Sequence, residues 1–374
     1  MTIKIEPGRL RGNVTVPSSK SLSHRALIAS FLSDGGTAEN LAENDDIVAT
    51  RDCLEAIKSG AVLHCRESGS TLRFLIPLAL VFREEAAFTG SGRLLARPLE
   101  PYFKLFAAEQ AENGFTLRGK LKPGLFPMSG DISSQFITGL MFALPLLDGD
   151  SEIRLTSPPE SKPYIDLTLA VLAAFGIRIE AVPDGWVIPG KQIYAPCRYT
   201  VEGDESAAAF WRVAKTLGSD VSCLGLNPKS FQGDRVLVDI IREEARIIDV
   251  RECPDLVPAL AVWCSFRAGE SRIVHASRLR LKESDRLHAI ASELNKLGAK
   301  ITELPDGLVI QGVPSLNGGS VNSHNDHRIV MALAIAATRC NGPVTIHGAE
   351  NVSKSYPDFF TDFRALGGKC EEKF

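Results

Sequence analysis

Val14 and Val16 alternate with polar neighbours as a half-buried strand requires, and Pro17 stops that strand. Ser18 and Ser19 then offer capping oxygens before the helically spaced Leu22, Ala26, Leu27 and Ala29. The same alternation returns along the chain. Apolar helices are predicted over 74–81, 207–217 and 329–337, and buried stripes at Phe136, Leu140 and Leu144 and at Leu287, Ile290, Leu294 and Leu297. The clearest pattern is a repeat. Leu172–Ile188 aligns with Leu294–Ile310, each a helix end, a capping glycine (Gly176, Gly298), a strand, a Pro-Asp-Gly turn and a returning strand. Weaker copies surround Gly60, Gly114 and Gly367, and Val238–Val250 keeps the pattern with Ala245 in the glycine position. The pattern therefore predicts an α/β fold of about six β-α-β-β units.

Composition narrows the class of protein. At 374 residues the chain can bury two cores, and 44% hydrophobic with 23% charged residues reads as soluble and globular. A net charge of −3 gives no general attraction to nucleic acid or to an anionic membrane. The first residues hold no apolar signal core, and the longest apolar run, over 137–147, is too short for a bilayer. The eight cysteines are scattered without zinc spacing, which suits free thiols in a reducing cytoplasm. A monomer without cofactor or metal is expected.

Against that slightly acidic background, cations recur at predicted helix starts and constrained loops. Lys20, Ser21 and Arg25 share the first turns after Pro17, and Gly69 lies in a Ser-Gly-Ser-Thr stretch whose amides could cradle an oxyanion. Arg97 precedes a proline. Ser133, Ser134 and Gln135 crowd one helix start, and Ser161, Lys162 and Tyr164 another. Asp255 reads most simply as an N-cap of the helix that follows it. Lys282 and Arg286 are like charges four residues apart, a mild conflict that an anion between them would relieve. Asn325 reads as the cap of the helix that carries Arg328, and Lys354 precedes a last helix. Clustered cations in an acidic chain point to a small ligand with several negative charges.

In order along the chain, Pro-Ser-Ser-Lys-Ser-Leu-Ser-His-Arg25, Ser-Gly-Ser-Thr-Leu-Arg73, Ala-Arg-Pro-Leu99, Asp-Ile-Ser-Ser-Gln-Phe136, Ser-Lys-Pro-Tyr-Ile-Asp166, Val-Glu-Gly-Asp204, Lys-Glu-Ser-Asp-Arg-Leu287, Asn-Asp-His-Arg328 and Lys-Ser-Tyr-Pro-Asp358 resemble the motif set of the EPSP synthase family, the 3-phosphoshikimate 1-carboxyvinyltransferases. The resemblance implies a two-lobed inside-out α/β barrel. Residues 1–19 and 203–374 would form one lobe and 20–202 the other, with an active site in the cleft between them. It implies transfer of the enolpyruvyl group of phosphoenolpyruvate to the 5-hydroxyl of shikimate 3-phosphate. Phosphate then leaves by cleavage of its bond to carbon, which in principle requires no metal.

The same resemblance assigns roles. Lys20, Ser21, Arg25, Ser133, Ser134, Gln135, Ser161, Tyr164, Asp255 and Lys282 would hold shikimate 3-phosphate. Lys20, Gly69, Arg97, Gln135, Arg286, Arg328 and Lys354 would hold phosphoenolpyruvate. Asp255 would accept the hydroxyl proton, and Glu283, with Lys20 as its rival, would protonate the methylene carbon. Three departures stand out. Glu67 and Arg278 occupy positions where the family usually has Asn, and the segments 61–66, 111–128 and 246–255 are short, so some repeats are expected to lack a hairpin. The rival readings are the related transferase acting on UDP-N-acetylglucosamine, disfavoured by the Ser-Ser-Gln and Ser-Lys-Pro-Tyr motifs, and a sugar-phosphate binder without catalysis.

Overall fold

The computed structural model describes residues 1–373. They form two compact units, Met1–Pro17 with the chain from Gly203 onward, and Ser18–Glu202. Three sheets belong to each unit, six in all, and four of the six have four strands. One such sheet runs Ile247–Asp249, Glu270–Val274, Gly307–Gln311, Lys300–Leu304, a parallel pair extended by an antiparallel hairpin. The repeated stretch in the other unit gives the same arrangement from Leu125–Met128, Ser151–Leu155, Gly185–Ile188 and Glu180–Val182. A third copy closes with the chain's first strand, Thr2–Glu6, between Val344–His347 and Lys369–Lys373.

Two sheets have only two strands, Thr37–Glu39 with Arg198–Thr200 and Arg11–Thr15 with Asp220–Leu224. Only Gly60, Ala61 and Val62 separate the helix Asp45–Ser59 from the strand Leu63–His64, so no hairpin can form there. Only Glu243–Arg246 lie between Leu237–Arg242 and Ile247–Asp249, which again leaves no room for one. The short segment around 111–128 behaves differently: its hairpin, Ala107–Ala111 with Gly114–Arg118, is intact.

The helices fill the interior. Every residue of Val257–Ser265 and of His327–Ala337 is buried, as are nearly all of Gly69–Phe82 and Ser134–Ala143. Helices apolar on all sides must be surrounded on all sides, whereas the strands alternate, with Ser271 and Ile273 inward and Arg272 outward. This is the inside-out arrangement, helices within and sheets without. Among the described residues no helix is long and apolar enough to cross a membrane. The consequence for chemistry lies at the helix starts, where polar residues end otherwise apolar rods.

Candidate functional site

In the unit Ser18–Glu202, Ser19 caps the helix Lys20–Leu32 by accepting the Leu22 amide. That places Lys20 in the first turn, where its Nζ lies 2.9 Å from Oδ2 of Asp46. Arg25, one turn on, is 3% exposed. Its Nε donates to Thr168 Oγ1 (2.9 Å), Nη1 to the Ser21 carbonyl (2.6 Å) and Nη2 to the Tyr164 carbonyl (2.8 Å). The guanidinium also lies 5.2 Å over the Phe74 ring. All these partners are neutral, so burial pulls the Arg25 pKa down to about 10, which still leaves it charged at neutral pH. Arg25 thereby ties together three expected site positions: its own, Ser21 and Tyr164.

A second cluster forms at facing helix starts. Ser68 caps Gly69–Phe82, and Ser133 caps Ser134–Ala143. Arg73 Nη1 donates to Gln135 Oε1 (2.9 Å), and Gln135 Nε2 donates to Ser70 (3.0 Å). The buried Tyr102 hydroxyl donates to the carbonyls of Arg73 and Phe136, locking the two helices together. A Cβ on Gly69 would stand 2.8 Å from Arg97 Nη1 and 2.9 Å from Arg73 Nη1, so both guanidiniums occupy space that only glycine leaves. Ser161 precedes the helix Lys162–Ala174 in a left-handed conformation (φ 58°).

In the other unit the cations converge on carboxylates. The helix expected to carry Lys282 begins only at Arg286, and Asp285 caps it. Lys282 and Arg286 therefore do not share a helical face. They meet instead at Oδ1 of Asp255, 3.7 Å from Lys282 Nζ and 2.7 Å from Arg286 Nη1, so an internal carboxylate relieves their conflict. Asp255 is not an N-cap either. It lies in a single turn of 3-10 helix, and its other oxygen receives Arg328 Nη2 at 2.9 Å. Burial alone would raise the Asp255 pKa, but Arg328, Lys282 and Arg286 overrule it and hold the carboxyl well below its usual range.

Arg286 is 1% exposed and also donates to Glu283 Oε2 (2.7 Å) and Asp326 Oδ2 (2.7 Å). The cap of the helix bearing Arg328 is Asp326, not Asn325, which is left-handed (φ 58°). Asn325 contributes its carbonyl, which accepts Lys354 Nζ at 2.8 Å.

The structure thus gathers Asp255, Lys282, Glu283, Arg286 and Arg328 into one network, with Lys354 reaching it through the Asn325 turn. It gathers Ser21, Arg25 and Tyr164 into another, and Gly69, Arg97 and Gln135 into a third. The departures have definite positions. The Glu67 carboxyl packs against Gly92 on the loop leading to Arg97, and Arg278 Nη2 donates to the Arg251 carbonyl (2.8 Å).

Four residues had no role in the sequence reading: Asp46, Arg73, Asp234 and Asp326. Arg73 and Asp326 lie within quoted motifs, and an acid just before an apolar helix was the available signal for Asp326. Asp234 is buried beside Asp255. Desolvation, then the charge of Asp255, push its carboxyl up to about 7 against the opposing pull of Arg328 and the Ser206 hydrogen bond.

A family profile described as EPSP synthase (3-phosphoshikimate 1-carboxyvinyltransferase) matches residues 5–61, 56–247 and 241–363. A 3-phosphoshikimate 1-carboxyvinyltransferase from Clostridium kluyveri is 44% identical over 418 positions, covering 99% of this chain and 98% of that protein. One from Clostridium acetobutylicum is 43% identical over 422 positions. Because 418 aligned positions exceed the 374 residues here, that relative carries residues with no counterpart in this chain. An Acinetobacter baumannii EPSP synthase structure shares the fold, with a TM-score of 0.80 at 24% identity over 99% of this chain and 100% of that one. On the full-length match to the profile and to these relatives, the chain belongs to the EPSP synthase family.

Proposed function

We propose that the protein transfers the enolpyruvyl group of phosphoenolpyruvate to the 5-hydroxyl of shikimate 3-phosphate, releasing phosphate, as a monomeric enzyme of aromatic amino acid biosynthesis in the cytoplasm. The observation that carries this reading beyond family membership is the network at Asp255, one carboxylate held between three cations. Joining a hydroxyl to the central carbon of phosphoenolpyruvate requires a base at the hydroxyl, an acid at the methylene carbon and cations on a carboxylate and two phosphates. Arg25, with neutral partners only, suits the phosphate of shikimate 3-phosphate, beside Ser21, Ser133, Ser134, Ser161 and Tyr164. Lys20, Gly69, Arg97, Gln135, Arg286, Arg328 and Lys354 would take phosphoenolpyruvate.

Asp255 as found is ionised but a poor base, because its two oxygens accept from Arg286 and Arg328. A substrate carboxylate that draws those arginines to itself would leave Asp255, still near Lys282, with more affinity for the hydroxyl proton. The same shift would loosen Glu283 from Arg286 and free it to carry a proton to the methylene carbon, with Lys20 the alternative donor. The tetrahedral adduct then collapses with loss of phosphate and of a methyl proton. Fixed cations on the carboxylate and phosphates would order the reactants before chemistry begins.

Phosphate release tests the proposal. Stoichiometric release is expected only when shikimate 3-phosphate and phosphoenolpyruvate are both present, and none with UDP-N-acetylglucosamine as acceptor. Binding of both compounds without release would leave a non-catalytic sugar-phosphate binder.

A further inference from the structure

The helix Arg286–Lys296 grips the turn Asn322–Asp326 at two points. At its start, Arg286 Nε donates to Asp326 Oδ2 at 2.7 Å, and Ser284 Oγ donates to the same oxygen at 3.0 Å. Seven residues on, and so on the same helical face, stands Glu293, an acid only 1% exposed. Its Oε2 accepts the Asn322 amide at 2.9 Å, and its Oε1 lies 2.6 Å from His324 Nε2. Lys296 Nζ lies 2.8 Å from both oxygens, and Ser292 Oγ donates to Oε1 at 3.2 Å. Burial would push the Glu293 carboxyl up, but His324, Lys296 and the Asn322 amide hold it below its usual range. A buried acid satisfied by a backbone amide and a histidine of one turn is a fixture for that turn.

The turn needs a fixture. His324 and Asn325 are consecutive left-handed residues (φ 51° and 58°), a conformation that side chains other than glycine adopt at a cost. The same turn places groups of the Asp255 network: the Asn325 carbonyl receives Lys354, Asp326 caps the next helix through the Arg328 amide (2.9 Å), and Arg328 reaches Asp255. We propose that Glu293 and His324 are positioning residues that hold the left-handed turn, and thereby aim Arg328 and Lys354 at phosphoenolpyruvate. This rests on the proposed transferase function for the identity of the ligand, and on geometry alone for the fixture. Neither residue touches the reacting atoms, so their loss is read in one substrate's affinity and not in the chemical step.

Kinetics with each substrate varied in turn tests this. His324→Ala and Glu293→Ala should raise KM for phosphoenolpyruvate by about tenfold, with kcat and KM for shikimate 3-phosphate changed by less than about twofold. Glu293→Gln, which keeps an acceptor for the Asn322 amide, should recover most of the loss. Should Glu293→Ala fail to fold, His324→Ala, altered at a side chain about one-third exposed, carries the test. Equal rises in both KM values, or an unchanged KM for phosphoenolpyruvate in folded His324→Ala, would overturn the assignment. Absence of phosphate release by the wild type would instead strike the functional reading. The fixture would then be judged by hydrogen exchange of the Asn322 amide, expected to quicken in both alanine variants and to stay unchanged if it holds nothing.

Discussion

Arg25 and Arg286 are both buried guanidiniums, yet Arg25 is held by two carbonyls and a hydroxyl whereas Arg286 is held by three carboxylates, those of Asp255, Glu283 and Asp326. Carbonyls satisfy donors without cancelling charge. The unit Ser18–Glu202 therefore keeps a net positive centre in a poorly solvated place, which an incoming phosphate can neutralise. Around Arg286 the charge is already cancelled, so an incoming anion must displace a carboxylate. In the proposed reaction the first arrangement would bind as it stands, whereas the second would bind by rearranging and make the displaced carboxylate available for proton transfer.

Replacing Asp255 should have the largest effect, because it is the counter-ion of three cations and, in the proposed reaction, also the base. Asp255→Ala is expected to lower kcat by about 10³-fold or more in phosphate release. It should also lower stability by about 3 kcal/mol in denaturant titration, since three cations lose their shared partner. Arg97→Ala, removing a half-buried cation immediately before Pro98, should cost about 10²-fold in kcat/KM with a melting temperature near that of the wild type. An Asp255→Ala protein of unchanged stability would erase the contrast between the two units.

Arg25→Lys comes next. It keeps the charge but cannot span Thr168, Ser21 and Tyr164 together, so KM for shikimate 3-phosphate should rise by about tenfold while KM for phosphoenolpyruvate holds. Smaller still is a pH effect at Asp234. Its carboxyl titrates at about 7 in the folded chain, above its unfolded value, so the folded state binds the extra proton between those limits and stability falls as pH rises through them. Asp234→Asn should remove the part of that decline lying between about pH 5 and about pH 7, read as melting temperature against pH. The depressed Asp255 works oppositely and lower, its contribution being lost only as pH drops below the ordinary carboxylate range.

Much of the fold was legible because its signals are local. The Pro-Asp-Gly hairpins at 183–185 and 305–307, the glycine caps and the helices apolar on every side each arise from a few neighbouring residues. The positions of cations were legible for the same reason, since helix starts announce themselves by Ser19, Ser68 and Ser133. Pairing over distance escaped. Nothing near Asp255 announces that residues more than twenty positions away, Lys282, Arg286 and Arg328, will share it, and an acid before an apolar helix imitates a cap. Asn325 and Asp326 were transposed because either type can cap, and only the left-handed backbone at Asn325 decides between them. Short segments go with a missing hairpin in two repeats, whereas the one at 111–128 leaves its hairpin, Ala107–Ala111 with Gly114–Arg118, intact.

The contrast between the two kinds of buried arginine is tested most directly by titrating phosphoenolpyruvate alone into the wild type and into Asp255→Asn by calorimetry at fixed salt. Removing the internal competitor while keeping its shape should tighten binding by about tenfold even as turnover is lost. Equal or weaker binding by the variant would mean that Arg286 and Arg328 are not held in reserve by Asp255.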